Sequence, residues 1–396
     1  MPKQTIKDVR VEGKRVLVRV DYNVPFEPGT AIIADDSRIR ATLPTLMYLL
    51  QRNATVILCT HVGRPEGKVV EKLRVKPIAD RLSYLLGMEV GYVNDCVGPT
   101  VQKRVLELKP SEILLLENLR FYPDEEINDA LFTQELASLA DIYVNDAFAT
   151  SHRAHASTEG VAHHLQAVAG LLMENELEML GKAFDSPKRP VVAILGGAKL
   201  SEKMGVLDYF VDRVDAILVG GGMAATFLSA LGHIVGDSKV EVDRLRFVQE
   251  IMERAKRQGV TLTIPTDVVI GQTFEANTEP KNVQVSEIPQ GWKIMDIGHA
   301  TVKAFIDELT IAKTILWNGP MGVFEFPPFA SGTISVANTL ANHKHATTVV
   351  GGGSTAEAVA ELGLVESMTH VSTGGGASLQ FFEGRDLPGV VVLEDR

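Results

Sequence analysis

The sequence predicts an α/β protein of two lobes, each with a mostly parallel, doubly wound, Rossmann-like sheet flanked by helices. Three observations indicate this fold. Short runs rich in Val, Ile and Leu recur in both halves of the chain, and helical patterns separate them. With 396 residues the chain also exceeds the size at which one hydrophobic core is the rule, so two domains are expected.

The first half alternates strand-like and helix-like segments. Its strand-like runs, each with the residues that follow it, are VLVRVDYN (16–23), VILCTHVGR (56–64), ILLLENLR (113–120) and IYVNDAF (142–148). Helical periodicity marks IRATLPTLMYLLQRN (39–53) and VKPIADRLSYLLG (75–87). This alternation is typical of βαβ units, in which helices cover both faces of a parallel sheet.

The boundary between the halves is predicted to be helical. In VAGLLMENELEMLGKAF (168–184) four leucines recur at helical spacing, and DSPKRP (185–190) ends the pattern with two prolines. A helix here would be a stiff connector. The last segment, GRDLPGVVVLEDR (384–396), contains an apolar run that predicts docking onto the protein rather than a free tail.

Charged and polar groups follow the strands of the first half. Period-two spacing places Arg19, Asp21 and Asn23 on one side of the first strand, where an Arg19–Asp21 ion pair would also explain them. Gly63 relieves crowding after the second strand. The polar groups at the four strand exits and the next helix start are Asp21, Asn23, Arg38, His61, Arg64, Arg120 and Arg153. Because the carboxyl ends of parallel strands meet at one edge, these groups predict an anion site.

The strands of the second half are followed by glycine. The runs are VVAILGGAK (191–199), ILVGGGM (217–223), ILWNGPMG (315–322), VVGGGST (349–355) and HVSTGGG (370–376). Glycine lets backbone amides approach phosphate oxygens, and a helix N-terminus adds a favourable dipole. Lys199 is expected to open a helix, with Lys203 one turn later on the same face; Lys203 could equally be a solvated helix lysine. The pattern predicts a site for a chain of phosphates.

Other classes of function lack support. The net charge of −11 opposes nucleic-acid binding, and no apolar run approaches the ~18 residues of a membrane span. Cys59 and Cys96 are the two cysteines, and the N-terminus lacks a secretory pattern, so a cytoplasmic protein is expected. The loops GGGMAA (220–225) and GGGSTA (351–356) match a dinucleotide motif only weakly. A Walker A sequence and metal-ligand spacings are absent.

Eight motifs spread from residue 19 to residue 378 identify a family. They are RVDYNVP (19–25), THVGRP (60–65), ENLRF (117–121), VNDAFATSHRAHAST (144–158), LGGAK (195–199), VGGGMA (219–224), WNGPMGVFE (317–325) and STGGGAS (372–378). In these motifs the chain resembles the phosphoglycerate kinases over essentially its whole length. The resemblance implies reversible phosphoryl transfer between 1,3-bisphosphoglycerate and ADP, giving 3-phosphoglycerate and ATP.

The resemblance also implies which residues bind each substrate. For 3-phosphoglycerate they are Asp21, Asn23, Arg38, His61, Gly63, Arg64, Arg120 and Arg153. For the nucleotide they are Lys199, Lys203, Asn318, Glu325, Gly352, Gly353, Ser354 and Thr355. Arg38 and Lys199 are the candidates for catalysis, since phosphoryl transfer needs charge stabilisation rather than a general base.

The family pattern further implies a monomer whose two lobes close by hinge bending. The expected divisions are an N-terminal lobe (1–167 plus 384–396) for 3-phosphoglycerate, an interdomain helix and hinge (168–185), and a C-terminal lobe (186–383) for the nucleotide. Closure would bring the two substrates in line and exclude water from an acyl phosphate.

The chain departs from the family pattern at three positions. Ser354 stands where the family usually has an aspartate that helps to hold Mg²⁺, so the metal is expected to be carried by ATP or ADP without a direct protein ligand. Ile294 replaces a glycine near the adenine, and His299 replaces a proline. Two alternatives stay open: Ser354 could mark a paralogue that binds nucleotide or phosphoglycerate without turnover, and the weak dinucleotide motifs leave an NAD-dependent dehydrogenase.

Overall fold

A computed structural model of the chain describes residues 2–396. Two compact units are present. The first comprises Met1–Glu178 and Asp386–Arg396, and the second comprises Met179–Arg385. Over the described part of the chain, no helix combines the length and apolar character required to cross a bilayer.

The first unit is built on a six-stranded sheet. Its strands are β1 (Arg15–Val20), β2 (Thr55–Cys59), β3 (Val90–Tyr92), β4 (Ile113–Leu115), β5 (Ile142–Asp146) and β6 (Gln166–Ala169). They lie in the order β3-β4-β2-β1-β5-β6, and all neighbours are parallel. The four strands whose ends carry the polar groups are therefore adjacent, and their exits lie at one edge of the sheet.

Helices cover the faces of this sheet. They are α1 (Ser37–Gln51), α2 (Lys76–Leu86), α3 (Pro99–Leu106), α4 (Pro123–Glu126), α5 (Ala130–Ala137) and α6 (Leu171–Phe184). Valines of β1 pack with Ile39 and Leu46 of α1 in one buried cluster. The unit boundary at Glu178 falls inside α6.

The predicted helix over 168–184 begins later than its pattern suggested. Residues Gln166–Ala169 pair with β5 as the sixth strand, and α6 starts at Leu171. Gly170 makes the change of direction, and a Cβ at this position would overlap the carboxylate of Asp146. Short apolar runs fit both a strand and a buried helix, and sheet pairing decides between them here.

The second unit contains a parallel sheet and a smaller antiparallel one. Its strands are β7 (Val191–Leu195), β8 (Ala216–Val219), β9 (Thr261–Thr263), β10 (Asp267–Gly271), β11 (Lys281–Gln284), β12 (Lys293–Ile297), β13 (Thr314–Asn318), β14 (Thr347–Gly351) and β15 (His370–Val371). The parallel sheet has the order β15-β14-β13-β7-β8-β9. The antiparallel sheet β11-β10-β12 was not anticipated from the sequence.

Seven helices belong to the second unit after α6. They are α7 (Met204–Phe210), α8 (Ala224–Ala230), α9 (Leu245–Gln258), α10 (His299–Ile311), α11 (Ser331–Asn342), α12 (Gly353–Glu361) and α13 (Gly376–Phe382). Trp317 on β13 is fully buried in the core that α10 and α11 share with the sheet. The glycine-rich exits of β7, β8, β13 and β14 thus stand at one edge of one sheet.

The C-terminal segment docks on the first unit. It contains the short helix α14 (Pro388–Val391). The Gly389 amide donates to the Ser151 carbonyl over 2.9 Å, and the Asn145 side-chain amide donates to the Gly389 carbonyl over 2.8 Å. Docking beside the end of β5 accounts for the apolar residues in this segment.

Candidate active site

The polar groups of the first unit form a connected network at the strand exits. Arg38, in the first turn of α1, makes an ion pair with the carboxylate of Asp21, just beyond β1. His61 follows β2, and its Nδ1 lies 3.9 Å from the same carboxylate. The helix start and two adjacent strand ends therefore meet at Asp21.

A second set of contacts joins β1, β2 and β4. The Asn23 side-chain oxygen accepts from the Gly63 amide over 2.9 Å, and Arg120 donates to the Gly63 carbonyl over 2.8 Å. Gly63 has a φ of +64°, a conformation that favours glycine. The next residue, Arg64, is exposed. Gly63 therefore orders this loop, while Arg64 extends towards solvent.

Positive charge is concentrated at this edge. Burial, with Arg153 nearby, lowers the pKa of Arg120 to about 10, and the carboxylate of Glu126 at 3.3 Å only partly offsets this. The pKa of His61 lies well below its usual value because the ring is buried among arginines. The pKa of His155 falls to about 4 for the same reasons. An anion placed here would relieve the repulsion that these shifts report.

The alternative explanation, an Arg19–Asp21 ion pair, does not hold. Strand β1 ends at Val20, so Arg19 lies in the strand while Asp21 and Asn23 lie beyond it. Arg19 is 1% exposed and contacts Ser157 and His61. The period-two pattern failed because the strand stops before the second polar residue, which leaves Asp21 free to pair with Arg38.

In the second unit, most glycine turns pack against one another. The Gly196 amide donates to the Asn318 carbonyl over 3.0 Å, and the Gly221 amide donates to the Met321 carbonyl over 2.8 Å. A Cβ on Gly221 would lie 2.5 Å from the Gly197 nitrogen. The glycines after β7, β8 and β13 therefore permit close backbone packing, and several of their amides are already occupied.

The exit of β14 is different. Its turn passes through Gly352, with a φ of +90°, into the first turn of α12, where Gly353 and Ser354 are exposed. A Cβ on Gly353 would meet no atom within 4 Å. The first amides of a helix lack intrahelical partners, so this terminus can receive phosphate oxygens. The Thr355 hydroxyl accepts from the Gly319 amide over 2.7 Å and fixes α12 to the exit of β13.

Asn318 and Lys203 lie close to this turn. Lys203 donates to the Asn318 side-chain oxygen, and the Asn318 side-chain nitrogen is buried without a hydrogen-bond partner in the described residues. A Cβ on Gly352 would lie 3.2 Å from that nitrogen. Burial lowers the pKa of Lys203 to about 8. An unpaired buried donor beside a partly desolvated ammonium is suited to an anionic ligand.

The expectation that Lys199 opens an α-helix is wrong. Leu200–Glu202 form a single 3₁₀ turn, and α7 begins only at Met204. The carboxylate of Glu241 accepts from the Leu200 amide over 2.5 Å and so caps this turn from outside. Lys199 is exposed, and its ammonium lies 3.3 Å from the Glu202 carboxylate. Lys199 and Lys203 thus differ in environment as well as in position.

The remaining predicted nucleotide residue, Glu325, is exposed beyond β13. Ile294 packs against a buried cluster that includes Ala225 and Leu228. His299 is the first residue of α10 and donates its amide to Asn282 over 3.2 Å, a bond that proline could not make. Both departures from the family pattern therefore have a local structural use.

Near the β14 exit, a magnesium ion would find the hydroxyl of Ser354 as an oxygen donor. Residues 2–396 contain no group of three His, Cys, Asp or Glu side chains arranged to hold a metal ion. Ser354 supplies a neutral oxygen at the start of α12. This donor set fits an ion whose charge is balanced by nucleotide phosphates, since Mg²⁺ commonly keeps several waters alongside phosphate oxygens.

Comparisons with known proteins agree with this architecture. The family model described as phosphoglycerate kinase matches residues 6–385. A phosphoglycerate kinase of Moorella thermoacetica is 52% identical over 396 residues, covering 100% of both chains.

Two solved structures are also similar. The phosphoglycerate kinase of Coxiella burnetii gives a TM-score of 0.90 at 37% identity, over 99% of this chain and 98% of that one. The enzyme of Pyrococcus horikoshii gives 0.86 at 34% identity, over 98% of each chain. The match spans both units and both groups of residues described above. The chain therefore belongs to the phosphoglycerate kinase family and catalyses reversible phosphoryl transfer between 1,3-bisphosphoglycerate and ADP.

Proposed function

We propose that the strand exits of the first unit bind 3-phosphoglycerate and that those of the second unit bind ATP or ADP. The connected network of Asp21, Arg38, Asn23, Gly63 and Arg120 carries this proposal. Arginines beside a small anion give charge and geometric specificity together.

The proposed phosphoglycerate site uses the exits of four adjacent strands. Its members are Asp21, Asn23, Arg38, His61, Gly63, Arg64, Arg120 and Arg153. The buried residues Arg120 and His61 fix the position of the anion, because their surroundings hold them in place. The exposed Arg64 adds long-range attraction that salt can screen.

The proposed nucleotide site centres on the start of α12. Its members are Lys199, Lys203, Asn318, Glu325, Gly352, Gly353, Ser354 and Thr355. Lys203 and the free Asn318 nitrogen receive phosphate oxygens, and the exposed Glu325 receives the ribose. The Thr355 hydroxyl acts mainly by holding α12 against β13.

Catalysis is proposed to depend on charge stabilisation by Arg38 and Lys199. The attacking group is already ionised near neutral pH, whether it is an ADP phosphate or a carboxylate, so no general base is needed. Both side chains retain exposed surface. We propose that the units close during turnover by bending within 168–185, with the lobes 1–167 plus 384–396 and 186–383 carrying one substrate each.

Mg²⁺ enters this scheme as part of the nucleotide substrate. When bound, it neutralises phosphate charge during transfer. Ser354 and the first amides of α12 would face the metal–phosphate group. We also propose a cytoplasmic monomer, in keeping with two buried free cysteines and the net charge of −11.

A coupled assay that follows ATP consumption with 3-phosphoglycerate tests this assignment. Turnover should require both substrates and Mg²⁺. Arg120→Ala should raise the KM for 3-phosphoglycerate, whereas the exposed control Arg246→Ala should not change it. Binding of both ligands without turnover would favour the non-catalytic paralogue, which no comparison supports. NADH fluorescence enhancement on binding would instead favour the dehydrogenase.

A further inference from the structure

A buried chain of hydrogen bonds leads from Glu125 to His61. The Glu125 carboxylate accepts from the Ser157 hydroxyl over 2.6 Å and from the Ser157 amide over 3.0 Å. The Ser157 hydroxyl in turn accepts from Arg19 Nε over 2.8 Å. Arg19 Nη2 lies 3.2 Å from His61 Nδ1. Glu125, Ser157, Arg19 and His61 are all at most 4% exposed.

The chemistry of arginine decides the direction of the last contact. A guanidinium has five N–H donors, has no acceptor and stays protonated in proteins. Its hydrogen bond to His61 can exist only if Nδ1 of the imidazole is unprotonated and accepts. The single ring proton of His61 must then lie on Nε2.

The orientation of Arg19 is fixed independently of His61. Its Nη1 donates to the Val20 carbonyl, and its Nε donates to Ser157. Glu125 supplies the negative charge at the other end of the chain, so Arg19 is not an uncompensated buried cation. Two contacts besides that with His61 therefore hold the guanidinium in one position beside the imidazole.

The charges facing His61 favour the neutral ring. Arg19, Arg120, Arg153 and His155 all lower its pKa, in addition to burial. Asp21 is the nearby carboxylate, but its Oδ1 is 3.9 Å from Nδ1, and its Oδ2 is paired with Arg38. Within residues 2–396, the hydrogen bond of the His61 ring is made by Nδ1.

We propose that the hydrogen-bonded side chains of Glu125, Ser157 and Arg19 position His61 as its Nε2–H tautomer. The ring then offers one fixed hydrogen-bond donor to the acidic substrate. The substrate contact rests on the proposed function; the tautomer does not. Arg19, Ser157 and Glu125 are positioning residues, since they act through His61. His61 is then a neutral hydrogen-bond donor that transfers no proton during turnover.

Nitrogen NMR of ¹⁵N-histidine-labelled enzyme tests this directly. In the free enzyme at neutral pH, His61 Nδ1 should resonate as an unprotonated ring nitrogen and Nε2 as a protonated one. His61→Gln identifies the resonances. Saturating 3-phosphoglycerate should shift Nε2 most and leave the tautomer unchanged. A protonated Nδ1, or averaged nitrogens, would overturn the inference while the proposed function stands.

A substitution separates positioning from general structure. Ser157→Ala should average the two His61 nitrogens and raise the Kd for 3-phosphoglycerate about tenfold. The Kd for ADP should stay unchanged. The exposed Ser138→Ala should alter neither. If a folded Ser157→Ala enzyme keeps a single His61 tautomer, the hydrogen bonds through Ser157 do not position the ring.

The titration with 3-phosphoglycerate tests the substrate contact of His61 separately from its tautomer. A fixed Nε2–H tautomer whose Nε2 resonance does not respond to saturating 3-phosphoglycerate would overturn the substrate contact and the proposed role of His61 together. If Ser157→Ala does not fold, Arg19→Lys provides the second variant. Lysine keeps the positive charge of Arg19 but lacks the planar guanidinium, so loss of the single His61 tautomer is again expected.

Discussion

Lys203 donates a hydrogen bond to the side-chain oxygen of Asn318, and this contact turns the free Asn318 nitrogen towards the glycine turn that begins α12. The pair joins the exit of β13 to the residue just before α7. Because burial lowers the pKa of Lys203 to about 8, the charge of this site changes in an accessible range of pH. The proposed nucleotide site can therefore be tested by titration.

Nucleotide affinity should fall as pH rises through about 8. Only the protonated Lys203 attracts phosphate, and a bound phosphate raises its pKa again, so ADP binding should take up protons near pH 8. Calorimetry in buffers of different ionisation enthalpy measures this uptake. Lys203→Arg, which stays charged, should abolish it. Equal proton uptake in both enzymes would assign the titration to another group.

Arg38→Ala should reduce kcat far more than it raises the KM for 3-phosphoglycerate. Loss of a group that stabilises the transferring phosphoryl costs about 3–4 kcal/mol, which corresponds to roughly 10²- to 10³-fold in kcat. Steady-state kinetics with both substrates varied gives this split, and Arg40→Ala on the same helix is the control. Unchanged kcat, or equal effects on kcat and KM, would remove Arg38 from the transition state.

Asp146→Asn should stabilise the protein at pH 8. Burial raises the pKa of Asp146 to about 7, although its Oδ1 accepts from the amides of Leu172 and Met173 at the start of α6. The stability from this raised pKa is fully present below about 4 and is lost as pH rises through 7. The free energy of unfolding can therefore rise by at most about 4 kcal/mol in Asp146→Asn at pH 8. Urea unfolding at pH 5 and pH 8 measures it. A lower urea midpoint for Asp146→Asn than for the unsubstituted protein at pH 8 would contradict this sign.

Ser354→Asp should increase the preference for Mg²⁺-bound nucleotide. The new carboxylate at the exposed start of α12 repels free ATP and attracts the metal complex. We expect the ratio of the two Kd values to change about tenfold, within the range of charge-assisted contacts. Equilibrium binding with Mg²⁺ or EDTA gives the ratio, and Ser354→Asn controls for side-chain size. No difference between the two variants would exclude a metal near Ser354.

The strand exits were predictable because they depend on local patterns. The exits of β4, β2, β1 and β5 lie at one edge of a parallel sheet, as predicted, and these strands also prove to be neighbours. The partner of Arg19 was not predictable, since it depends on where β1 ends and on Ser157, 138 residues away. Long-range hydrogen bonds leave no local sequence pattern.

Dependence on distant contacts also explains the other differences between the predicted and the observed structure. β6 resembled the start of α6 in composition, and its pairing with β5 decided its structure. The turn after Lys199 depends on the carboxylate of Glu241, which no nearby residue signals. The glycines after β7 and β8 were correctly placed at strand ends, but packing between turns uses amides that were expected to face phosphate. The orphan nitrogen of Asn318 was visible only in three dimensions.

Each unit is proposed to bind a different substrate, and one set of titrations distinguishes the two sites. Calorimetric Kd values for 3-phosphoglycerate and for Mg·ADP should be measured with Arg120→Ala and with Lys203→Ala. We predict that Arg120→Ala weakens 3-phosphoglycerate binding at least tenfold and leaves Mg·ADP unchanged, and that Lys203→Ala does the reverse. Loss of both ligands in either folded variant, or an exchange of the two effects, would contradict the account.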